Sequence, residues 1–206
     1  MNLKQIKIHR TTQSKYDRDL FADFPVWEIT GMDLPELQYQ RGKPSPYPDR
    51  YHLDITSHIE DTEQFVSVWR RRYRQIVNSI NSSKDPGLVQ LLNQIWKGEF
   101  AHTEINDNIE FTCDAPGFKM ETHFDNRNIV AVLIVNLKDN AEGSTHFDQL
   151  DYTAPTKKHD GVFFLNHNNT THSIDWQGDT DRWIAYHTIT LFDIMQGNIN
   201  ANTDIG

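Results

Sequence analysis

The second half of the chain consists of short runs of β-forming residues separated by turn residues, a pattern that leaves few folds open. We predict seven strands, at Glu110–Cys113, Phe118–His123, Ile129–Leu137, Ser144–Phe147, Gly161–Asn166, Thr171–Trp176 and Arg182–Phe192. Segments such as Ala115-Pro116-Gly117 supply the turns between them. So many short strands predict a mainly β fold, a double-stranded β-helix or jelly roll.

The first half has helical patterns. Between Glu60 and Ser82, apolar residues recur every three or four positions, as on one face of a helix. These residues are Phe65, Trp69, Tyr73, Ile76 and Ile80. A second helix is predicted to begin at Asp85-Pro86-Gly87 and to end near Gly98. We expect this helical region to pack on one sheet. We predict a loop from Arg41 to Asp49, which holds three prolines and a glycine. The segment Arg41–Arg50 could act as a lid.

Length and composition bear on the domain organisation, the compartment and the partners of the protein. We expect the 206 residues to form one domain, with a mixed, helix-rich N-terminal extension (1–100), a jelly-roll catalytic core (101–195) and a tail (196–206). No apolar run approaches the roughly 18 residues that a membrane span needs. The single cysteine, Cys113, and the absence of an apolar leader predict the cytoplasm. A net charge of −9 makes nucleic acid an unlikely partner.

Three His-x-Asp motifs occur: His52-Leu53-Asp54, His123-Phe124-Asp125 and His146-Phe147-Asp148. Residues i and i+2 of a strand point to the same side, so such a motif can direct an imidazole and a carboxylate at one metal ion. A non-haem Fe(II) site needs two imidazoles and one carboxylate, and leaves other coordination positions open. The position of the third ligand must therefore decide which of the three motifs binds the metal.

In a jelly roll, the third ligand lies on a later strand, several strands and turns after the His-x-Asp strand. The segment between Asp125 and His172 is long enough for these elements, whereas the segment between Asp148 and His172 is too short. The third motif could pair with His187 instead. The first motif precedes the helical region and is interpreted as loop or strand residues unconnected with a metal.

The position of a basic residue distinguishes the two remaining alternatives, the second motif with His172 and the third motif with His187. If the metal works with a dianionic co-substrate such as 2-oxoglutarate, the carboxylate far from the metal needs a cation, ideally a guanidinium. Arg182 lies ten residues after His172, whereas no Lys or Arg follows His187. We therefore predict that His123, Asp125 and His172 bind the metal and that Arg182 binds the far carboxylate.

The order of elements from Pro116 to Tyr186 resembles the 2-oxoglutarate/Fe(II)-dependent dioxygenase superfamily, and most of all its prolyl-4-hydroxylase-like members. Those enzymes carry His-x-Asp, an apolar strand, Gly-x-Thr-x-Phe, another strand, a distal His and a basic residue ten positions later. The corresponding elements here are His123-Phe124-Asp125, the run 129–137, Gly143-Ser144-Thr145-His146-Phe147, the run 161–166, Thr171-His172 and Arg182. Within this order the second His-Phe-Asp is coincidental.

One departure concerns the co-substrate anchor. Many relatives carry Ser or Thr two residues after the basic residue, where this chain has Ile184. Another side chain must then supply the second hydrogen bond to the far carboxylate. Tyr186 is expected on the same face of the strand as Arg182 and is our candidate.

The resemblance implies an enzyme that uses Fe(II), 2-oxoglutarate and dioxygen to hydroxylate an unactivated C–H bond. The substrate would be a small molecule, an amino acid or a peptidyl residue, and succinate and carbon dioxide would be co-products. Asp125 stands where halogenases of the superfamily have a small residue, which favours hydroxylation. The alternatives are a nucleic-acid demethylase of the same superfamily, a cupin-like metal protein without 2-oxoglutarate chemistry, and a binding module without catalysis.

Overall fold

Antiparallel strands make up most of the protein. The computed structural model describes residues 1–6, 26–81, 103–126, 129–140, 144–166 and 170–193. The strands in these ranges are β1 (Asn2–Gln5), β2 (Val26–Thr30), β3 (Tyr39–Pro44), β4 (Arg50–Ile55), β5 (Thr103–Asp114), β6 (Lys119–His123), β7 (Ile129–Asn136), β8 (Thr145–Phe147), β9 (Tyr152–Thr153), β10 (Gly161–Leu165), β11 (His172–Asp175) and β12 (Arg182–Asp193). The major sheet has the order β1-β2-β10-β7-β12-β5-β4-β3, and the minor sheet has the order β6-β11-β8-β9.

The mainly β prediction is confirmed, and each of the seven predicted strands corresponds to an observed one. Two of them, β5 and β12, are longer than predicted because they pair with each other along twelve residues. The predicted turn between β5 and β6 is also present. Gly117 adopts a φ of 84° there, a conformation that glycine reaches without the steric cost of a side chain.

The helix α1 spans Ile59–Asn81 and matches the first predicted helix. Its apolar face is buried against the major sheet, as the three-and-four spacing predicts. The buried helix residues are Phe65, Trp69, Tyr73, Ile76, Val77 and Ile80. The second predicted helix lies outside the described residues. No described helix has the length and apolar character that a membrane crossing requires.

The N-terminal part contains four strands that we did not predict. The predicted loop from Arg41 to Asp49 is wrong in its first part, because β3 continues to Pro44. The ladder between β3 and β4 is irregular between Arg41 and Pro44, so the strand tolerates a proline near its end. Most residues of β3 are exposed or half-buried, so β3 lacks the apolar alternation that marks a strand in a sequence.

The major sheet is covered on both faces. One face packs against α1 in the larger apolar cluster, which includes Leu133 and Phe163. The other face contributes Val132, Ile134 and Phe164 to a second cluster, which also contains Phe147 of the minor sheet. Neighbouring residues of β7 and β10 therefore point alternately to the helix and to the minor sheet.

Replacement of Trp69 by Ala tests the packing of α1. The Trp69 side chain is fully buried, and its Nε1 donates a hydrogen bond of 2.9 Å to Nδ1 of His187. We expect Trp69→Ala to lower the free energy of unfolding by about 3–5 kcal/mol in urea titrations. Gln64→Ala, on the exposed side of the same helix, is the control and should change it by less than about 0.5 kcal/mol. Equal effects of the two substitutions would contradict the observed packing.

Candidate metal centre

The pairing of β6 with β11 brings two predicted ligands together. His123 and His172 are register partners in this antiparallel ladder, and Asp125 follows two residues after His123. Each of the three side chains offers one ligand atom, and these atoms all lie within 4.8 Å of one another. Among the described residues, this is the one group of three such side chains that could hold a metal ion.

Hydrogen bonds to the backbone orient both imidazoles. Nδ1 of His123 lies 2.8 Å from the carbonyl oxygen of Glu121, and Nδ1 of His172 lies 3.1 Å from that of Thr170. Because a carbonyl can only accept, each Nδ1 carries a proton, and in the neutral ring Nε2 is then the nitrogen with a lone pair. Burial lowers the pKa of His172, against the opposing effect of the Asp125 charge, and so favours the neutral ring. Both rings are therefore suited to bind a metal through Nε2.

Asp125 has one oxygen in use and one without a partner. Its Oδ1 accepts a hydrogen bond of 3.1 Å from the Tyr186 hydroxyl. Its Oδ2 is buried, lacks a hydrogen-bond partner among the described residues, and lies 3.9 Å from Nε2 of His172. A buried carboxylate oxygen left unpaired costs free energy that a bound cation would offset. The donor set therefore fits a divalent metal ion.

Tyr186 is the residue that we expected to help bind the far carboxylate. Its hydroxyl is bonded to Asp125 instead. Burial, followed by the charge of Asp125, raises the pKa of Tyr186 well above its ordinary value. The phenol therefore stays protonated and can keep donating to the carboxylate.

The alternative metal ligands make hydrogen bonds with other residues. Nδ1 of His146 lies 3.0 Å from the Thr153 hydroxyl, and Asp148 accepts a hydrogen bond of 3.0 Å from Thr122. His187, the alternative third ligand, bonds Trp69 on the helix-facing side of the major sheet. His52, which we expected to be unconnected with the site, lies in the wall of the cavity next to the metal ligands.

That cavity has a volume of about 520 Å³ and includes all three candidate ligands in its wall. Apolar side chains of both sheets, among them Ile134, Ile174 and Ile184, form part of its lining. Two aromatic side chains that also line it, Tyr47 and Phe124, are 54% and 48% exposed. The site is therefore a pocket whose wall combines apolar and polar side chains, with aromatic groups that reach solvent.

Arg182, the predicted carboxylate anchor, is completely buried at the start of β12. Its Nη1 donates to Oδ2 of Asp114 over 2.8 Å, and its Nη2 donates to the Thr145 hydroxyl over 3.3 Å. Its Nε has no hydrogen-bond partner among the described residues. Burial lowers the pKa of the guanidinium, and the charge of Asp114 opposes that effect. Asp181, the adjacent acid in the sequence, pairs with Arg41 instead.

A second arginine, Arg50, shares the same carboxylate. Its Nε donates to Oδ1 of Asp114 over 2.6 Å, and its Nη2 donates to Oδ2 over 3.1 Å. The three residues are register partners across β4, β5 and β12. Our reading of the sequence missed Arg50 and Asp114, because their proximity depends on a strand register that the sequence does not reveal.

No protein-family model and no curated protein matches this chain. Among solved structures, it is similar to the 2-oxoglutarate complex of a collagen prolyl hydroxylase from Paramecium bursaria Chlorella virus-1. The identity is 17%, the match covers 75% of this chain and 79% of that one, and the TM-score is 0.46. A prolyl-4-hydroxylase from Pseudomonas putida matches at 14% identity over 75% of this chain and 77% of that one, with a TM-score of 0.45.

A prolyl hydroxylase from Trichoplax adhaerens, in complex with a fragment of hypoxia-inducible factor, is 10% identical. That match covers 79% of this chain and 74% of the other, with a TM-score of 0.49. These proteins are prolyl hydroxylases, the group that the motif order resembles.

Replacement of Asp114 by Asn tests the buried ionic cluster. The change would leave two guanidinium groups without a counter-charge, and breaking a buried ion pair in this way costs about 3–5 kcal/mol. We expect a loss of that size in the free energy of unfolding, measured in urea. Asp175→Asn is the matched control, because Asp175 is 58% exposed and pairs with Lys119 over 3.2 Å. Its loss should stay below about 1 kcal/mol. Similar losses for both would mean that the cluster does not stabilise the fold.

Proposed function

We propose that this protein is an Fe(II)- and 2-oxoglutarate-dependent oxygenase that hydroxylates a C–H bond of a small-molecule, amino-acid or peptidyl substrate. The observation that carries the proposal is the convergence of His123, Asp125 and His172 at the wall of a cavity. Two imidazoles and one carboxylate are the ligand set of non-haem Fe(II) oxygenases, and that set leaves coordination positions for other molecules.

His123 and His172 would bind iron through Nε2, and Asp125 through the oxygen that has no other partner. When bound, iron and 2-oxoglutarate supply the chemistry: dioxygen oxidises the co-substrate to succinate and carbon dioxide and hydroxylates the substrate. The protein orients the ligands and excludes water. Tyr186 would hold Asp125 in position through the oxygen that does not bind the metal, which is a common task of residues next to metal ligands.

The same arrangement supports a proposal for the fold. His123 and His172 lie on the minor sheet and Asp125 follows β6, while the major sheet contributes Ile134, Ile184 and Tyr186 to the cavity wall. Two antiparallel sheets that enclose a site between them are what a double-stranded β-helix requires, and we propose this fold, within a single domain.

For the compartment, we propose the cytoplasm. The one cysteine, Cys113, is a free buried thiol, which suits a cytoplasmic protein.

A cupin-like metal protein without 2-oxoglutarate chemistry is the second candidate. The observation in its favour is the ion pair of Arg182 with Asp114, which neutralises the predicted anchor of the co-substrate. The two candidates differ in an anaerobic titration of the Fe(II)-loaded protein with 2-oxoglutarate. An oxygenase should develop a visible charge-transfer absorption band and release succinate once oxygen is admitted. A protein of the second kind should do neither.

Two chemically identical motifs provide a matched test of the metal ligands. In Asp125→Ala, the affinity for Mn²⁺, used as an oxygen-stable probe, should fall by more than about 100-fold, because a ligand is lost. In Asp148→Ala, the same change in the other His-Phe-Asp motif, the affinity should stay within about twofold of the wild type. Isothermal titration calorimetry measures both. Equal losses, or a larger loss in Asp148→Ala, would refute the assignment of the ligands.

The pH dependence of metal binding provides a further test. The neutral imidazole is the ligand, so protons compete with the metal for Nε2. Because burial lowers the pKa of His172 below its ordinary value of 6.5, protonation of this ring does not weaken binding near neutral pH. We therefore expect a lower Mn²⁺ affinity at about pH 5.5 than at about pH 7.5. An affinity that is unchanged or higher at the acidic end would speak against histidine ligands.

A further inference from the structure

The cavity next to the metal ligands has a guanidinium in its wall that the sequence did not predict. Arg50 belongs to the residues that line the cavity, whereas Arg182 does not. The Arg50 side chain is 15% exposed, compared with 1% for Arg182. A ligand inside the cavity can therefore contact Arg50, whereas Arg182 is not part of the cavity wall.

Strand register arranges the major-sheet wall of the cavity in rows. Residues opposite each other in adjacent strands point to the same face. The row nearest the candidate metal site pairs Tyr186 with Glu110, and the Tyr186 hydroxyl contacts Asp125. The middle row consists of Ile184, Thr112 and His52. The last row consists of Arg182, Asp114 and Arg50.

The last row carries a net positive charge, because two guanidinium groups share the single carboxylate of Asp114. The two hydrogen bonds to Asp114 use only part of the five N–H donors of Arg50. The Arg50 guanidinium also lies over the Phe118 ring, 4.5 Å from its centroid, which restrains its orientation. Arg50 is thus held on two sides and keeps donors for an anion.

The middle row adds an unused hydroxyl. Thr112 is 5% exposed and lines the cavity, and its Oγ1 has no hydrogen-bond partner among the described residues. A buried hydroxyl without a partner costs free energy that a bound polar group would offset. Thr112 precedes Asp114 by two residues on β5 and therefore faces the same side of the sheet.

We propose that Arg50 and Thr112, and not Arg182, bind the carboxylate of 2-oxoglutarate that lies far from the metal. Arg182 and Asp114 are positioning residues in this arrangement, since they hold the Arg50 guanidinium at the wall. This inference rests on the proposed function. It differs from our expectation from the sequence, in which Arg182 contacts the co-substrate. It also gives strand β4, in the N-terminal part of the chain, a direct task in the site.

The test compares two acids that differ only in the far carboxylate. 2-Oxopentanoate is 2-oxoglutarate with that carboxylate replaced by a methyl group. Calorimetric titration of the Mn²⁺-loaded protein with each acid yields a ratio of affinities, and a charged hydrogen-bonded contact should make this ratio about 10 to 100 in the wild type. The ratio reports on the carboxylate subsite and does not depend on turnover.

Three variants locate the subsite. Arg50→Gln should reduce the ratio to about 1–3, because the charged donor is lost while Asp114 keeps Arg182 as its partner. Thr112→Val, which preserves the shape of the side chain, should reduce it about fivefold and leave binding of 2-oxopentanoate unchanged. Arg182→Gln should keep the preference for 2-oxoglutarate, because Asp114 still accepts both hydrogen bonds of Arg50. Circular dichroism and Mn²⁺ affinity of the Arg50→Gln and Arg50→Lys variants serve as controls for folding.

The outcomes separate this inference from the proposed function. If the wild type prefers 2-oxoglutarate and Arg50→Gln keeps that preference, or if Arg182→Gln alone abolishes it, the assignment of the carboxylate to Arg50 is wrong while the oxygenase proposal stands. If the Mn²⁺-loaded wild type binds neither acid, the proposed function itself fails, and the assignment of Arg50 fails with it.

Discussion

The antiparallel pairing of β6 with β11 is the interaction on which the rest of the site depends. It makes His123 and His172 register partners, with ring centroids 4.5 Å apart. The His172 ring is in turn held between Phe147 and Phe164, at centroid distances of 5.6 and 5.0 Å, so it is fixed by both sheets. A one-residue slip of this ladder would turn one histidine to the opposite face. Side chains distant in sequence therefore meet only in this register.

A second constraint joins the N-terminal strands to the end of the chain. Asp114 of β5 binds Arg50 of β4 on one side and Arg182 of β12 on the other. Buried charges of this kind are costly unless each is paired, so the cluster fixes these three strands relative to one another. Because Arg50 faces the cavity, the same cluster that stabilises the sheet also sets the charge of the pocket. Stability and ligand recognition thus depend on shared residues.

Much of this could be read from the sequence, and the failures have physical causes. Seven of the eight described strands from β5 to β12 and the amphipathic helix α1 follow from apolar periodicity, and the three candidate ligands follow from motif spacing. The two-residue strand β9 was not predicted. The exposed or half-buried strands β1 and β3 have no such periodicity, so they were missed. The partners of Arg182, the contact of Tyr186 with Asp125 and the exposure of Arg50 to the cavity all depend on register and on side-chain direction, which spacing alone does not determine.

The most direct test of the central claim is the location of a bound metal ion. Crystals of the protein grown anaerobically with Fe(II) should show one anomalous scattering peak at the iron edge within the cavity. The account predicts that this peak lies within about 2.0–2.2 Å of Nε2 of His123, Nε2 of His172 and a carboxylate oxygen of Asp125, ordinary distances for such ligands. A peak at His146 and Asp148, or no iron peak beside His123 and His172, would contradict it.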